Sequence, residues 1–126
     1  MEYAVVSVAA APVRRKPDHR KEMVNQLLFG ETVKVLKEKG ALWVKIRGLH
    51  DGYEGWLTRN LLEETDEITA ANRSSFVAAD LLSQLSAGEM KLSIPVGSSL
   101  PFFENGKIQL AGTGYDFTGN YIKRDE

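Results

Sequence analysis

Cysteine is absent from the 126-residue sequence. Its absence excludes disulfides, thiolate zinc sites and a cysteine nucleophile. Histidine is scarce, with His19 in Pro17-Asp18-His19-Arg20 and His50 in Leu49-His50-Asp51-Gly52. Neither has the paired spacing of a metal site, and both polar settings read as surface loops. No metal and no cofactor is expected. Long apolar runs are missing as well, and nothing approaches the ~20 residues of a membrane span. The start, Met1-Glu2-Tyr3-Ala4-Val5-Val6-Ser7-Val8, is acidic where a secretory signal is basic, and Val8-Ala9-Ala10-Ala11 runs straight into Pro12. With Met1 as the natural start, a cytoplasmic location is expected; a removed leader would instead make the chain exported. A net charge of -1 offers no field to attract nucleic acid or an anionic membrane, so neither is expected as a partner.

What remains is an ordinary globular composition, 43% hydrophobic and 26% charged. The length suits one domain or two minimal ones. Modules of roughly 60 residues bury only about 60% of their unfolded surface, so two packed together would support each other. Alternation is the strongest local pattern. Valines fall at every second position in Thr32-Val33-Lys34-Val35-Leu36-Lys37. Leu42, Val44 and Ile46 share one face of the next segment, with Lys45 and Arg47 opposite. Period two with β-branched residues predicts half-buried strands, joined here by a hairpin loop at Glu38-Lys39-Gly40-Ala41. A turn at Gly48–Gly52 leads to another strand at Tyr53–Leu57.

Around Glu63-Glu64-Thr65-Asp66-Glu67 the texture becomes acidic, and Thr65 is expected to cap one helical turn. Before Thr65 the chain carries 11 basic and 9 acidic residues; after it, 5 and 8. Those opposite signs would favour docking of two halves, weakly and in a salt-dependent way. Phe76–Leu85 fits a helix, with Leu81, Leu82 and Leu85 on one face, or a kinked strand; the local pattern does not decide. Strands are expected at Lys91–Ile94, Leu100–Phe103, Lys107–Leu110 and Tyr115–Ile122. A hairpin at Asn105-Gly106 and a turn at Gly112-Thr113-Gly114 lie between them. The economical architecture is all-β, with a first small barrel at 1–64, a linker at 65–75 and a second barrel at 76–126. Trp43 and Trp56 are expected in the core, and Glu31 after Gly30 reads as a turn residue.

Gly52-Tyr53-Glu54-Gly55-Trp56-Leu57-Thr58-Arg59-Asn60-Leu61-Leu62 resembles the end of a Src-homology-3 barrel, where a strand is followed by one 3₁₀ turn and a closing strand. Leu42-Trp43-Val44-Lys45-Ile46 resembles the strand before it, and bacterial versions of the module carry these elements in this order. Ser7–Arg14, His19–Glu31 and Asp51–Trp56 together resemble the N-terminal region of NlpC-type cysteine peptidases. Those are γ-D-glutamyl-L-diamino-acid endopeptidases that recycle cell-wall peptides, with two such barrels ahead of a catalytic domain. The resemblance is good over the first module and loose over the second, and no segment resembles the catalytic domain. It implies a non-catalytic front portion whose partners are a C-terminal catalytic domain and a cell-wall peptide with a free N-terminal L-alanine. It further implies that Glu22 and Tyr53 help bind that amine. Read without the resemblance, Glu22 is a surface charge and Tyr53 a packing or edge aromatic. Two other roles stay open: an autonomous peptide- or cell-wall-binding module, and a structural spacer or dimerisation unit.

Overall fold

The computed structural model describes residues 1–124. The first half contributes β1 (Tyr3–Val6), β2 (Ala10–Arg14), β3 (Met23–Leu28), β4 (Thr32–Lys39), β5 (Trp43–Gly48), β6 (Glu54–Thr58) and β7 (Leu62–Thr65). One 3₁₀ turn, Arg59–Leu61, separates β6 from β7. These strands form a seven-stranded sheet in the order β3-β2-β6-β5-β4-β1-β7. The sheet wraps a single core that includes Ala4, Val13, Val33, Val44, Ile46 and Leu57. Period two accounts for it. In β5, Val44 and Ile46 are buried while Trp43, Lys45 and Arg47 point outward. Leu42 does not join that face: it lies in the turn before β5, half exposed.

The connection begins differently from expectation. Thr65 is the last residue of β7, paired with Tyr3. The cap is Asp66, whose carboxylate accepts the Thr69 N–H at 2.6 Å, opening α1 (Glu67–Ala71). The Asp66 carboxylate takes the free N–H, while Thr65 is committed to the sheet.

The second half is β-rich as expected, but its strands form separate sheets. β8 (Phe76–Ala78) pairs with β13 (Tyr121–Lys123), while β9 (Leu82–Ala87), β10 (Met90–Pro95), β11 (Lys107–Leu110) and β12 (Thr113–Thr118) form a sheet in the order β10-β9-β12-β11. Phe76–Leu85 is therefore two strands with a break at Ala79-Asp80-Leu81. Only Leu85 of its three leucines is buried; Leu81 is 84% exposed. The strand expected at Leu100–Phe103 is a turn instead. Pro101 has no N–H to give a ladder, and Phe102 sits at φ 54°. Tyr115–Ile122 is interrupted at Gly119-Asn120, where Asp80 accepts the Asn120 N–H at 2.9 Å. The Asn105-Gly106 hairpin has both residues at positive φ, 52° and 74°, as a two-residue type I′ turn requires.

The halves dock through apolar contact. β1 is buried on both faces: Ala4 and Val6 enter the first core, Val5 the second. Phe29, in the turn after β3, also inserts into the second core, edge-on to Tyr115. Backbone and hydroxyl groups seal the seam, with the Ser99 N–H donating to the Phe29 carbonyl at 2.9 Å and the Thr32 hydroxyl to the Ala70 carbonyl at 2.7 Å. Among the described residues no ion pair joins the halves. The opposite net charges are thus not what holds them.

Candidate functional site

A shallow, open groove runs over the outer face of the first sheet, lined by Arg15, Val24, Lys45, Tyr53, Glu54 and Trp56. Alternation puts these side chains there, since each strand residue that turns away from the core must face outward. It also overturns the expectation for the tryptophans. Trp43 and Trp56 are half-buried on the outer face and absent from both cores. Trp56 pairs across the sheet with Lys45 and underlies the Lys37 ammonium at 5.9 Å. Trp43 packs against the His19 ring at 4.7 Å.

Tyr53 stands at the entrance to β6, 43% exposed. Its N–H donates to Asp51 Oδ1 at 3.0 Å, and its hydroxyl donates to the Val24 carbonyl at 3.0 Å. Glu22 lies just before β3, two residues from that carbonyl. Its side chain is 72% exposed and faces Arg15 Nη2 at 3.6 Å. Glu22 does not line the groove itself; Arg15, its ion-pair partner, does. The fold thus carries both residues to one end of the sheet from segments about thirty residues apart.

The loop between β2 and β3 is held by its own charges. The Arg20 guanidinium and backbone N–H bond the Asp18 carboxylate at 2.9–3.2 Å, and hold its pKa down at about 2. A carboxyl lowered from the ordinary value near 3.9 adds stability above that value and loses it as pH falls toward 2. A carbon-detected titration should therefore place the Asp18 midpoint near 2, and Arg20→Gln should raise it part of the way toward the ordinary value, because the backbone N–H at position 20 still donates to the carboxylate. A midpoint near 4 in the unsubstituted protein would mean the contact does not persist in solution.

A second recess, of about 140 Å³, lies at the junction of the halves. Its walls include Glu31, His50 and Asp51 from the first half, with Arg73 and Arg124 from beyond β7. Burial pushes the Glu31 carboxyl up, and burial with the nearby Arg73 and Arg124 charges pushes His50 down. None of this was legible as a site, because the charged residues come from segments with no shared motif. Glu31 is a turn residue as expected, but one aimed into a cavity.

Residues 13–62 match the family model for the bacterial dipeptidyl-peptidase Sh3 domain. The first module is SH3-like in fold. Over the whole chain, the fold resembles the crystal structure of an NlpC/P60 family protein from Bacillus cereus ATCC 10987, with a TM-score of 0.76 at 17% identity. That alignment covers 96% of this chain and 56% of the other, so the chain spans little more than half its structural relative. At this identity the likeness is one of fold. No curated protein matches the sequence. This SH3-like module places its 3₁₀ turn at Arg59–Leu61, between β6 and the closing β7, at the segment where the resemblance lay.

Proposed function

We propose that the chain is the non-catalytic, substrate-gating and targeting portion of a cytoplasmic γ-D-glutamyl-L-diamino-acid endopeptidase that recycles cell-wall peptides. Its SH3 domain reads the free N-terminal L-alanine of the substrate through Glu22 and Tyr53. The observation that carries this reading is the Tyr53 hydroxyl anchored on the Val24 carbonyl, beside Glu22, at the end of an open groove. In that position the phenol spends its proton on Val24, and its oxygen remains free to accept from an ammonium group. The Glu22–Arg15 pair is exposed and therefore weak, so an arriving ammonium can take the carboxylate. Arg15 and Lys45 in the groove suit the carboxylates of an acidic peptide. A site that pairs with a free amine rejects an acylated one, because its carboxylate is left without a partner. Intact murein would be refused on that ground.

The test uses the complete enzyme. Glu22→Gln keeps the shape and removes the charge. It should lower kcat/KM on free-amine peptides by at least about tenfold, equivalent to about 1.4 kcal/mol. N-acetylated peptides should be poor substrates already and lose little more. Equal losses on both substrates would assign Glu22 to the fold instead.

One observation favours a second reading. Trp43 and Trp56 are diagonal neighbours on the outer face, across the Lys45–Trp56 pair, and such a platform suits an extended peptide. Saturable binding of cell-wall peptides by this chain without a catalytic domain, abolished by Trp56→Ala and indifferent to Glu22→Gln, would select it.

A further inference from the structure

The recess between the two halves carries a different chemistry from the groove, and we propose that it binds a free α-amino acid with a small aliphatic side chain. Its titratable lining among the described residues is two carboxylates, two guanidiniums and the His50 imidazole. Glu31 and Asp51 make no ion pair within 4.0 Å there, although Arg73 and Arg124 are near enough to act on Glu31 through space. Opposite charges therefore face each other across a gap. Glu31 is partly buried, and its backbone hydrogen bond at Leu28 does not neutralise it; a buried charge without an opposite charge is unfavourable, and a ligand carrying both signs would close the gap from each side.

The cationic wall is built in advance. Arg124 Nε donates to the Ser74 carbonyl at 3.0 Å and Nη2 to Ser99 Oγ at 3.0 Å. A guanidinium has five N–H donors in a rigid fork, so its remaining edge is oriented and free to take a carboxylate. Arg73 has no hydrogen-bond partner among the described residues and lies exposed at the same recess. Glu31 is positioned by the backbone on both sides: its N–H donates to the Leu28 carbonyl at 3.1 Å, and its carbonyl accepts the Val6 N–H at 2.9 Å.

Balance of charge selects the ligand class. A phosphate would meet two carboxylates, and a polyamine would meet two guanidiniums; a zwitterion meets one of each. Volume sets the size. A cavity of roughly 150 Å³ holds one benzene, about six heavy atoms, which is the size of alanine. The recess is partly open to solvent, so the longer valine side chain can extend out of it. Val5, Leu49 and Leu110 supply apolar wall for the side chain. Because the ligand would touch both halves, its binding would stabilise their docking by mass action.

The experiment is a titration of the chain with L-valine and L-alanine, followed by backbone amide shifts and by the thermal midpoint. Saturable shifts are expected at Glu31, Leu49 and Ala111, together with a rise in midpoint. N-acetyl-L-valine, which lacks the ammonium, and L-valinamide, which lacks the carboxylate, should each bind at least about tenfold more weakly. Arg73→Gln, at an exposed residue whose side chain makes no hydrogen bond among the described residues, should leave the fold intact and weaken L-valine by a similar factor. Three results would overturn the proposal: no saturable shift up to about 20 mM, well beyond the millimolar range of weak specific binding; equal binding of valine and its blocked forms; or inorganic phosphate saturating the same amides at a lower concentration than valine.

Discussion

Phe29→Ala should cost about 3–5 kcal/mol in urea unfolding, a large share of the roughly 5–15 kcal/mol that holds a typical domain. Phe29 belongs to the first half by sequence and to the second by packing. It is fully buried, and with Val5 it is what the first half contributes to the second core. Its truncation removes apolar surface and leaves a cavity that the surrounding sheet cannot fill without moving. The second half has few resources to absorb the loss, because a module this small has little core of its own. The unsubstituted chain should unfold in one transition, since the two cores meet at β1 and Phe29. The variant should either shift that transition whole or split it, with the second half melting first. Phe103→Ala is the comparison. Phe103 is only partly buried, at the edge of the same core among Phe76, Phe117 and Tyr121, so it should cost distinctly less. A loss below about 0.5 kcal/mol for Phe29→Ala, within the ordinary range for surface positions, would show that the halves do not depend on this contact.

The same contact explains what could be read in advance and what could not. Strands β4 and β5 were legible because one face is buried and one is wet, so their valines and isoleucines alternate with lysines and arginines. Phe76–Leu85 was ambiguous because Leu81 and Leu82 are exposed and imitate a helical face that buries nothing. Leu100–Phe103 looked like a strand by apolarity, while Pro101 and the positive φ of Phe102 impose a turn. The tryptophans were misplaced for a related reason. Size argued for burial, but their positions in the β5 and β6 alternation argued for the outer face, and the alternation won. Net charge pointed to electrostatic docking, whereas two apolar residues and backbone hydrogen bonds form the seam. At the candidate groove, Glu22 and Tyr53 were identifiable only through a family resemblance. Nothing in their local sequence indicates that the β2–β3 loop and the entrance to β6 share one end of the sheet. The recess residues had no signal of either kind, because Glu31, Arg73 and Arg124 meet only after both halves have docked.

Gly30→Ala should be nearly as damaging as the loss of Phe29, at about 2–5 kcal/mol, through overpacking where the other substitution leaves a void. Two effects combine. Gly30 sits at φ +83°, a left-handed conformation that costs an L side chain about 1–2 kcal/mol. An added Cβ would also lie 2.6 Å from the Ser99 carbonyl oxygen and 3.0 Å from Ser99 Cβ. Neither side can retreat freely. The Gly30 N–H donates to the Val6 carbonyl at 3.0 Å, and the Ser99 N–H donates to the Phe29 carbonyl at 2.9 Å. Arg124 holds the Ser99 hydroxyl as well. Relief would require opening the seam between the halves, at a cost typical of forced overpacking, about 1–3 kcal/mol. Gly52→Ala separates the two effects. Gly52 is also left-handed, at φ +72°, but nothing lies within 4 Å of its would-be Cβ. It should show the conformational cost alone, about 1–2 kcal/mol. Thermal melts of both variants, with amide exchange at Phe29, Gly30 and Ser99, give the comparison. Equal losses at the two glycines would mean that the seam gives way at no cost. A larger loss at Gly30 with faster exchange at Ser99 would show that the closeness of these two backbones keeps the halves together.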